Sequence, residues 1–326
     1  MKQIEFVTPG RPEDVVSYVD AAMPPNPEAD DVLVKVRAFP INPADLLTMQ
    51  GVYPRLDAST HAIGTEAVGE VAALGTDVEG LAPGDRVMLL TLNNWRQFRL
   101  VKAHDIIKLS SHGDLMQQAG LKVNPATASL LLQNFVDLRP GDWIVQDAAN
   151  SAVGRATIQL AKLSGVRTIN VVRRADVIDE LKGLGADAVL VDGDDLAARA
   201  QATIGGGSIV LGLDSVAGSA TDRIASCLKP GGTLVVYGAM SGAPCTINPG
   251  TLVFQDILIR GFWLSKYLMN APRDAIAALY AGLDDLASSG KLDTRIDSAF
   301  PASDIKGAVS RASKPGINGK VMVTFD

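Results

Sequence analysis

"DWIVQDAANSAVGRATIQLAKLSG", residues 142–165, decides the fold. Its opening is a short apolar run of the kind that fills a buried strand. "SAVGRATIQLAKLSG" then sets Val153, Ala156, Leu160 and Leu163 at helical spacing, with Gly165 as a stop. The turn between them, "DAANSAVGRA", is built of small residues, which let a backbone approach a pyrophosphate at a helix N-terminus. Of the usual three glycines only Gly154 is present, with Ser151 and Ala152 where such loops often carry glycine. The context therefore carries the reading more than the pattern does. The alternative is a tight strand-to-helix turn in a fold that binds nothing.

Downstream, the same alternation repeats. "RTINVV" reads as a strand, "DVIDELKGLG" as a helix and "DAVLVD" as a strand. "DDLAARAQATIG" reads as a helix, "SIVLGLD" as a strand and "SATDRIASCLKPGG" as a helix, before the last strands "TLVVYGAM" and "DILIRGFWL". Apolar strands alternating with helices predict an α/β fold, a doubly wound parallel sheet with helices on both faces. Upstream, the first ~120 residues look β-rich: "VLVKVRAF" alternates, and "AVGEVAALG" and "DRVMLL" follow between turns. "PPNP" at 24–27 reads as a loop, and so does "INPADLLTMQGVYP" at 41–54. After residue ~265, "APRDAIAALYAGLDDLASSG" reads as a helix and "GKVMVTFD" as a closing strand that returns to the first domain. The expected division is 1–121 with 266–326, and 122–265.

The second strand of the wound sheet bears on the cofactor. An acid ~20 positions past the glycines binds the ribose 2′-hydroxyl of NAD, whereas arginine there accommodates a 2′-phosphate. "TINVV" ends in Arg173, nineteen positions after Gly154, followed by Arg174. A guanidinium pairs with phosphate bidentately and a carboxylate would repel it, so NADPH is favoured over NADH. Two solvated arginines at a strand end are the competing reading.

Bulk properties exclude other classes. The 326 residues are 47% hydrophobic and 20% charged with net charge −6, an ordinary globular composition. No basic cluster suits nucleic acid, and no run approaches the ~18 apolar residues that span a bilayer. The start, "MKQIEFVTPGRPED", lacks the marks of a secretory or transit peptide, and two cysteines, Cys227 and Cys245, fit a reducing compartment; a cytoplasmic protein is expected. The three histidines, His61, His104 and His112, have no cysteine partners before Cys227, so no zinc-ligand spacing exists.

Taken together, "INPADLLTMQGVYP", "VNPATA", "NSAVG", "RTINVVR", "GGTLVVYGAM" and "RGFWL" resemble, in order from residue 41 to 264, the mitochondrial-type 2-enoyl thioester reductases of the medium-chain dehydrogenase/reductase superfamily. The resemblance implies a GroES-like β-rich catalytic domain made from both chain ends, a Rossmann domain between, and a cleft holding NADPH. It places Tyr53 on the family's catalytic tyrosine and Asn124 on an asparagine near the nicotinamide. It places Ser151, Ala152, Val153 and Gly154 on the pyrophosphate loop, and Arg173 and Arg174 at the 2′-phosphate. Tyr237, Gly238, Ala239 and Met240, with Phe262, Trp263 and Leu264, fall on cofactor-lining turns, and Lys320 on a lysine that reaches the cofactor. A homodimer, and CoA or acyl-carrier thioester substrates, are implied likewise. The chain departs from the family at Ala239 and Ala175, and by the basic Arg174, which leaves Arg173 the surer phosphate ligand. Thr65 stands where zinc-dependent relatives place a histidine.

The implied chemistry delivers hydride to the β-carbon of a 2-enoyl thioester. Negative charge builds on the thioester oxygen and the α-carbon needs a proton. A tyrosine hydroxyl, protonated at neutral pH, can donate without metal. Tyr53 is thus either that donor or an aromatic that only positions substrate. Trp263 is either a cofactor or acyl contact or core packing; Tyr267 lines the same cleft or lies on the surface. "RASK" at 311–314 reads as a solvated face, with a docking face for an acidic acyl-carrier protein as the alternative. A quinone or enone reductase of the same superfamily, and an NADPH-binding sensor without turnover, are the competing functions.

Overall fold

A computed structural model describes residues 1–54 and 61–325. The chain divides into two compact units, 1–123 with 271–326, and 124–270. Unit 1 begins with β1 (Lys2–Glu5), α1 (Pro12–Val15), β2 (Ser17–Asp20), β3 (Asp31–Pro40) and α2 (Pro43–Met49). It continues through β4 (Val68–Leu74), β5 (Arg86–Leu89), β6 (Phe98–Lys102), β7 (Ile106–Lys108) and α3 (Leu115–Ala119). Unit 2 holds α4 (Asn124–Gln133), β8 (Trp143–Gln146), α5 (Ala152–Leu163), β9 (Arg167–Val172), α6 (Ile178–Leu184), β10 (Ala188–Val191) and α7 (Leu196–Ile204). It ends with β11 (Ile209–Asp214), α8 (Ala220–Ala225), β12 (Thr233–Val236), α9 (Pro249–Gln255), β13 (Leu258–Gly261) and α10 (Leu264–Asn270). The chain returns to unit 1 as α11 (Arg273–Ser288), β14 (Ile296–Pro301), α12 (Ile305–Ala312) and β15 (Lys320–Thr324).

In unit 2 the six strands run parallel in the order β10-β9-β8-β11-β12-β13. The order reverses between β8 and β11, and ligands of such sheets bind outside the carboxyl ends at that point. Side chains alternate faces: Trp143 and Val145 join Ile169, Leu196 and Leu234 in one core cluster, while Ile144 joins Leu131, Ala161 and Leu213 in another. Both faces are apolar, which is why the strands read as unbroken hydrophobic runs.

Unit 1 is built on the order β14-β15-β3-β4-β5-β7, with β6 also paired to β3. Strand β3 shows why: Val32, Val34 and Val36 are fully buried and alternate with half-exposed Leu33, Lys35 and Arg37. Phe39 at its end stacks on Trp95 with ring centroids 5.0 Å apart.

Several segments differ from the sequence expectation. The stretch 41–54 is not simply a loop: Asn42 precedes a helix with Pro43 at its first position, where a missing N–H costs nothing, and the Asp45 carboxylate accepts from the Asn42 N–H to close a capping box. Helix α4, from "NPATASLLLQ", is buried nearly all round, so it shows no amphipathic period. The strand expected over "DILIRGFWL" stops at Gly261, and α10 follows. "TLVVYGAM" is a strand only to Val236; Tyr237–Met240 form a turn.

Candidate functional site

The carboxyl edge of the unit 2 sheet gathers most of the residues singled out above. Ser151 caps α5, its hydroxyl accepting from the Gly154 N–H at 3.1 Å. Ala152 is the first residue of that helix, so its methyl group meets no backbone strain there. Gly154 is required by close approach: a Cβ on it would sit 2.6 Å from the Ala149 carbonyl oxygen and 2.7 Å from the Ala149 Cα. Val153 is partly buried against the sheet. The free N–H groups and dipole of a twelve-residue helix point out of this turn, an arrangement that attracts anionic phosphate.

Gln146 and Asn170 anchor the turn from beneath. The Gln146 amide donates to the Gly154 carbonyl at 2.9 Å and to Asn170 Oδ1 at 2.7 Å, and the Asn170 amide donates to the Ala188 carbonyl at 3.0 Å. Sequence reasoning missed both; the available signal was a polar residue inside each of the apolar runs "WIVQ" and "TINVV". Arg173 and Arg174 follow β9 and are exposed. Arg174 Nε lies 3.3 Å from Asp176, whereas Arg173 makes no ion pair among the described residues. The guanidinium of Arg173 is thus available to an incoming anion.

Two aspartates flank the reversal point. Asp214 at the end of β11 accepts from the Val216 and Ala217 N–H groups at 2.9 and 2.7 Å and from the Thr221 hydroxyl at 2.6 Å. Asp147, just after β8, accepts through Oδ1 from the Ser215 N–H at 2.8 Å and the Ser215 hydroxyl at 3.1 Å, stapling the two strands. Its other oxygen is buried with no donor. Burial, then the neighbouring Asp214 carboxyl, push the Asp147 carboxyl up to about 8. Ala148 and Ala217, one beside each aspartate, hold φ of 41° and 63°, the left-handed region that strains an alanine. Strain of this kind gathers where a fold shapes a ligand crevice.

The turn after β12 is laced to the same place. The Tyr237 N–H donates to the Asp214 carbonyl at 2.9 Å and the Met240 N–H to the Ser215 carbonyl at 3.0 Å. Gly238 permits this, because a Cβ there would lie 2.7 Å from the Ser215 carbonyl oxygen. Ala239 has no positive φ, so its departure from glycine costs the backbone little. The Tyr237 hydroxyl is held well above its ordinary range by burial first and then by Asp147. Met240 is exposed, with its sulfur 3.7 Å from the Ser215 hydroxyl. Phe262 packs edge-on against Phe135 at 6.0 Å, Trp263 is 37% exposed, and Leu264 opens α10. Asn124, the first residue of α4, is buried.

Tyr53 and Lys320 belong to unit 1. Tyr53 is half-buried, and its N–H, like that of Val52, donates to the Leu47 carbonyl of α2. The start of α2 rests on a buried ionic cluster. The Lys320 ammonium donates to Asn42 Oδ1 and to the Ile41 carbonyl. The Asn42 amide donates to Glu66 Oε1 at 2.6 Å and to the Thr65 hydroxyl at 3.1 Å. Asp45 accepts from the Thr65 N–H at 2.9 Å, and Lys122 donates to the Thr65 and Thr91 carbonyls at 2.5 and 2.7 Å. Burial raises Asp45 to about 7 and lowers Lys122 to about 8; it also raises Glu66 and lowers Lys320. Zinc takes its ligands from Cys, His and carboxyl side chains, and this cluster offers only the carboxyls of Asp45 and Glu66 beside two lysines; among the described residues no three such side chains gather as a metal ion would need. The unit 2 edge has the donors that suit NADPH, free N–H groups at the tight turn of Gly154 and, at Arg173, a guanidinium with no ion pair among the described residues.

The chain matches two family models, the alcohol dehydrogenase GroES-like domain over residues 28–109 and the zinc-binding dehydrogenase over residues 152–280. It is 38% identical over 306 residues to the mitochondrial enoyl-[acyl-carrier-protein] reductase of Rattus norvegicus, covering 91% of this chain and 82% of that protein. Among solved structures, the complex of Etr1p with NADP and crotonyl-CoA has a TM-score of 0.90 at 28% identity, covering 99% of both chains. The Escherichia coli quinone oxidoreductase complexed with NADPH has a TM-score of 0.88 at 25% identity, covering 99% of this chain and 100% of that one.

Proposed function

The chain belongs to the 2-enoyl thioester reductases of the medium-chain dehydrogenase/reductase superfamily, and we propose that it reduces the 2,3 double bond of trans-2-enoyl thioesters with NADPH. The observation that carries this reading is the 38% identity to an enoyl reductase across 91% of the chain. NADPH, when bound, supplies the hydride that goes to the β-carbon. Ser151, Ala152, Val153 and Gly154 bind the pyrophosphate at the α5 N-terminus, and Arg173, with Arg174 beside it, binds the 2′-phosphate. Asn124 orients the nicotinamide side. Tyr237, Gly238, Ala239 and Met240, with Phe262, Trp263 and Leu264, line the site and exclude water. Lys320, buried in unit 1 and bonded to Asn42, is assigned to the cofactor by the family resemblance alone. Tyr53 donates a hydrogen bond to the thioester oxygen as charge builds there, and passes a proton toward the α-carbon. Unit 1 is the catalytic domain and unit 2 the cofactor domain in this reading, and the expected limits, 1–121 with 266–326 and 122–265, lie within five residues of the compact units 1–123 with 271–326 and 124–270.

The substrate carrier is CoA or an acyl-carrier protein. A homodimer is favoured by β13, an edge strand whose Leu258 and Ile259 are 55% and 42% exposed, next to Phe254 on α9 at 86%. An unpaired edge flanked by apolar side chains suits a second copy running antiparallel. A reducing, cytoplasmic setting is supported by the free thiols of Cys227 and Cys245; no helix among the described residues is long and apolar enough to cross a membrane.

Quinone or enone reduction is the second reading, favoured by likeness to the E. coli quinone oxidoreductase, though at 25% identity only. Steady-state loss of NADPH absorbance with crotonyl-CoA, against a benzoquinone, tests the choice. Faster turnover of the quinone would reverse the assignment.

A further inference from the structure

Two carboxylic residues and two lysines are buried together at the start of α2, and substrate chemistry gives none of the carboxyls a task. Replacing such a cluster with apolar residues is often neutral or stabilising, so its presence argues for a fixed geometry more than for stability. That geometry is traceable atom by atom. The Asn42 amide is held at both ends: its oxygen takes the Lys320 ammonium, and its nitrogen gives one proton to Glu66 at 2.6 Å and one to Thr65 at 3.1 Å. With a cation on one side and a carboxylate on the other, the amide can face only one way. Glu66 is held in turn by the Val123 N–H at 2.9 Å. Asn42 also donates its main-chain N–H to Asp45 at 2.8 Å, so the first turn of α2 is fixed on both its side-chain and its backbone faces.

The far end of α2 is equally tied. The Met49 carbonyl accepts from the Gly10 N–H at 2.9 Å, and the Leu47 carbonyl accepts from the Tyr53 N–H at 3.2 Å. Tyr53 therefore stands on a helix of two turns whose base is the ionic cluster. We propose that Asn42, Glu66 and Thr65 are positioning residues that set the Tyr53 phenol through α2. This rests on Tyr53 acting in the reduction. A displacement of about 1 Å at a reacting group can cost on the order of a hundredfold in rate, so a rigid base has a kinetic purpose.

The test is a double-mutant cycle on the full-length protein with crotonyl-CoA and NADPH. Glu66→Gln keeps the side chain's shape but turns one acceptor into a donor facing either Asn42 or the Val123 N–H. It is expected to lower kcat by roughly ten- to a hundredfold in the wild-type background. In the Tyr53→Phe background it should lower kcat by less than about twofold, because the group it positions is gone. NADPH affinity, read by cofactor fluorescence, should change by the same factor in both backgrounds, because any effect passed through Asn42 to Lys320 does not involve the phenol. Thr65→Val, which removes only the hydroxyl's contacts to Asn42 and Asp45, is run through the same cycle should Glu66→Gln fail to fold. An equal loss in both backgrounds, or no loss in either, overturns the proposal while leaving Tyr53 its role. Wild-type turnover by Tyr53→Phe alone would instead overturn the role of Tyr53, and the positioning role with it.

Discussion

Asp147→Asn should change how the protein's stability depends on pH. Asp147 ordinarily titrates near 3.8 and is pushed up to about 8 in the fold. Between those values the folded state holds a proton that the unfolded state has released, so stability falls as pH rises through the window. The slope is bounded by one proton, about 1.4 kcal/mol per pH unit. From roughly pH 5.5 to 7.5 the wild type would lose up to about 3 kcal/mol from this group. In a unit of ~150 residues that is a Tm drop of about 5–10 °C. Asparagine keeps an oxygen for the two Ser215 donors and places an N–H₂ where Asp147 has a buried oxygen without a donor, beside the Asp214 carboxyl, whose Oδ2 takes only the Thr221 hydroxyl and can accept from it. The variant should therefore lack this slope and be the more stable protein near pH 8. Asp45, raised to about 7, contributes the same sign below that pH, and Lys122, lowered to about 8, contributes the opposite sign above it. Both lie in the other unit and cancel in the difference between the two proteins. The assay is thermal unfolding followed by circular dichroism at several pH values. Parallel Tm profiles for wild type and variant would refute the reasoning.

Tyr53→Phe should cut turnover by two orders of magnitude or so while NADPH affinity stays near wild type, as removal of one hydrogen-bond donor to a developing oxyanion does; steady-state kinetics beside a binding titration checks it. Arg173→Ala should weaken NADPH by at least about tenfold and leave NADH nearly unchanged; equal losses for both cofactors would remove the arginine from the 2′-phosphate. Gly154→Val should reduce both NADPH affinity and Tm, since even a Cβ would press to 2.6 Å from the Ala149 carbonyl oxygen; a normal dissociation constant and melting curve would contradict this. Ile259→Lys puts a charge on the exposed edge of β13 and should yield monomers by light scattering if that edge joins two copies.

The sequence by itself determined the wound sheet, because its strands are buried on both faces and its helices on one, and those two patterns are local and periodic. It also marked Ser151–Gly154 and Arg173, since a strand, a tight turn and a helix fix where a loop's small residues and a strand's end must fall. It did not reveal α4, whose all-round burial erases the helical period, nor α2, where two prolines and a glycine read as a loop although Pro43 sits at the one helical position that tolerates it. Only the tertiary structure decided the Asp147–Asp214 pair and the cluster of Asn42, Asp45, Glu66, Lys122 and Lys320. Their members lie from three to 278 positions apart, and a pKa or a hydrogen bond depends on distance in space and on the water excluded around it, neither of which a linear spacing encodes.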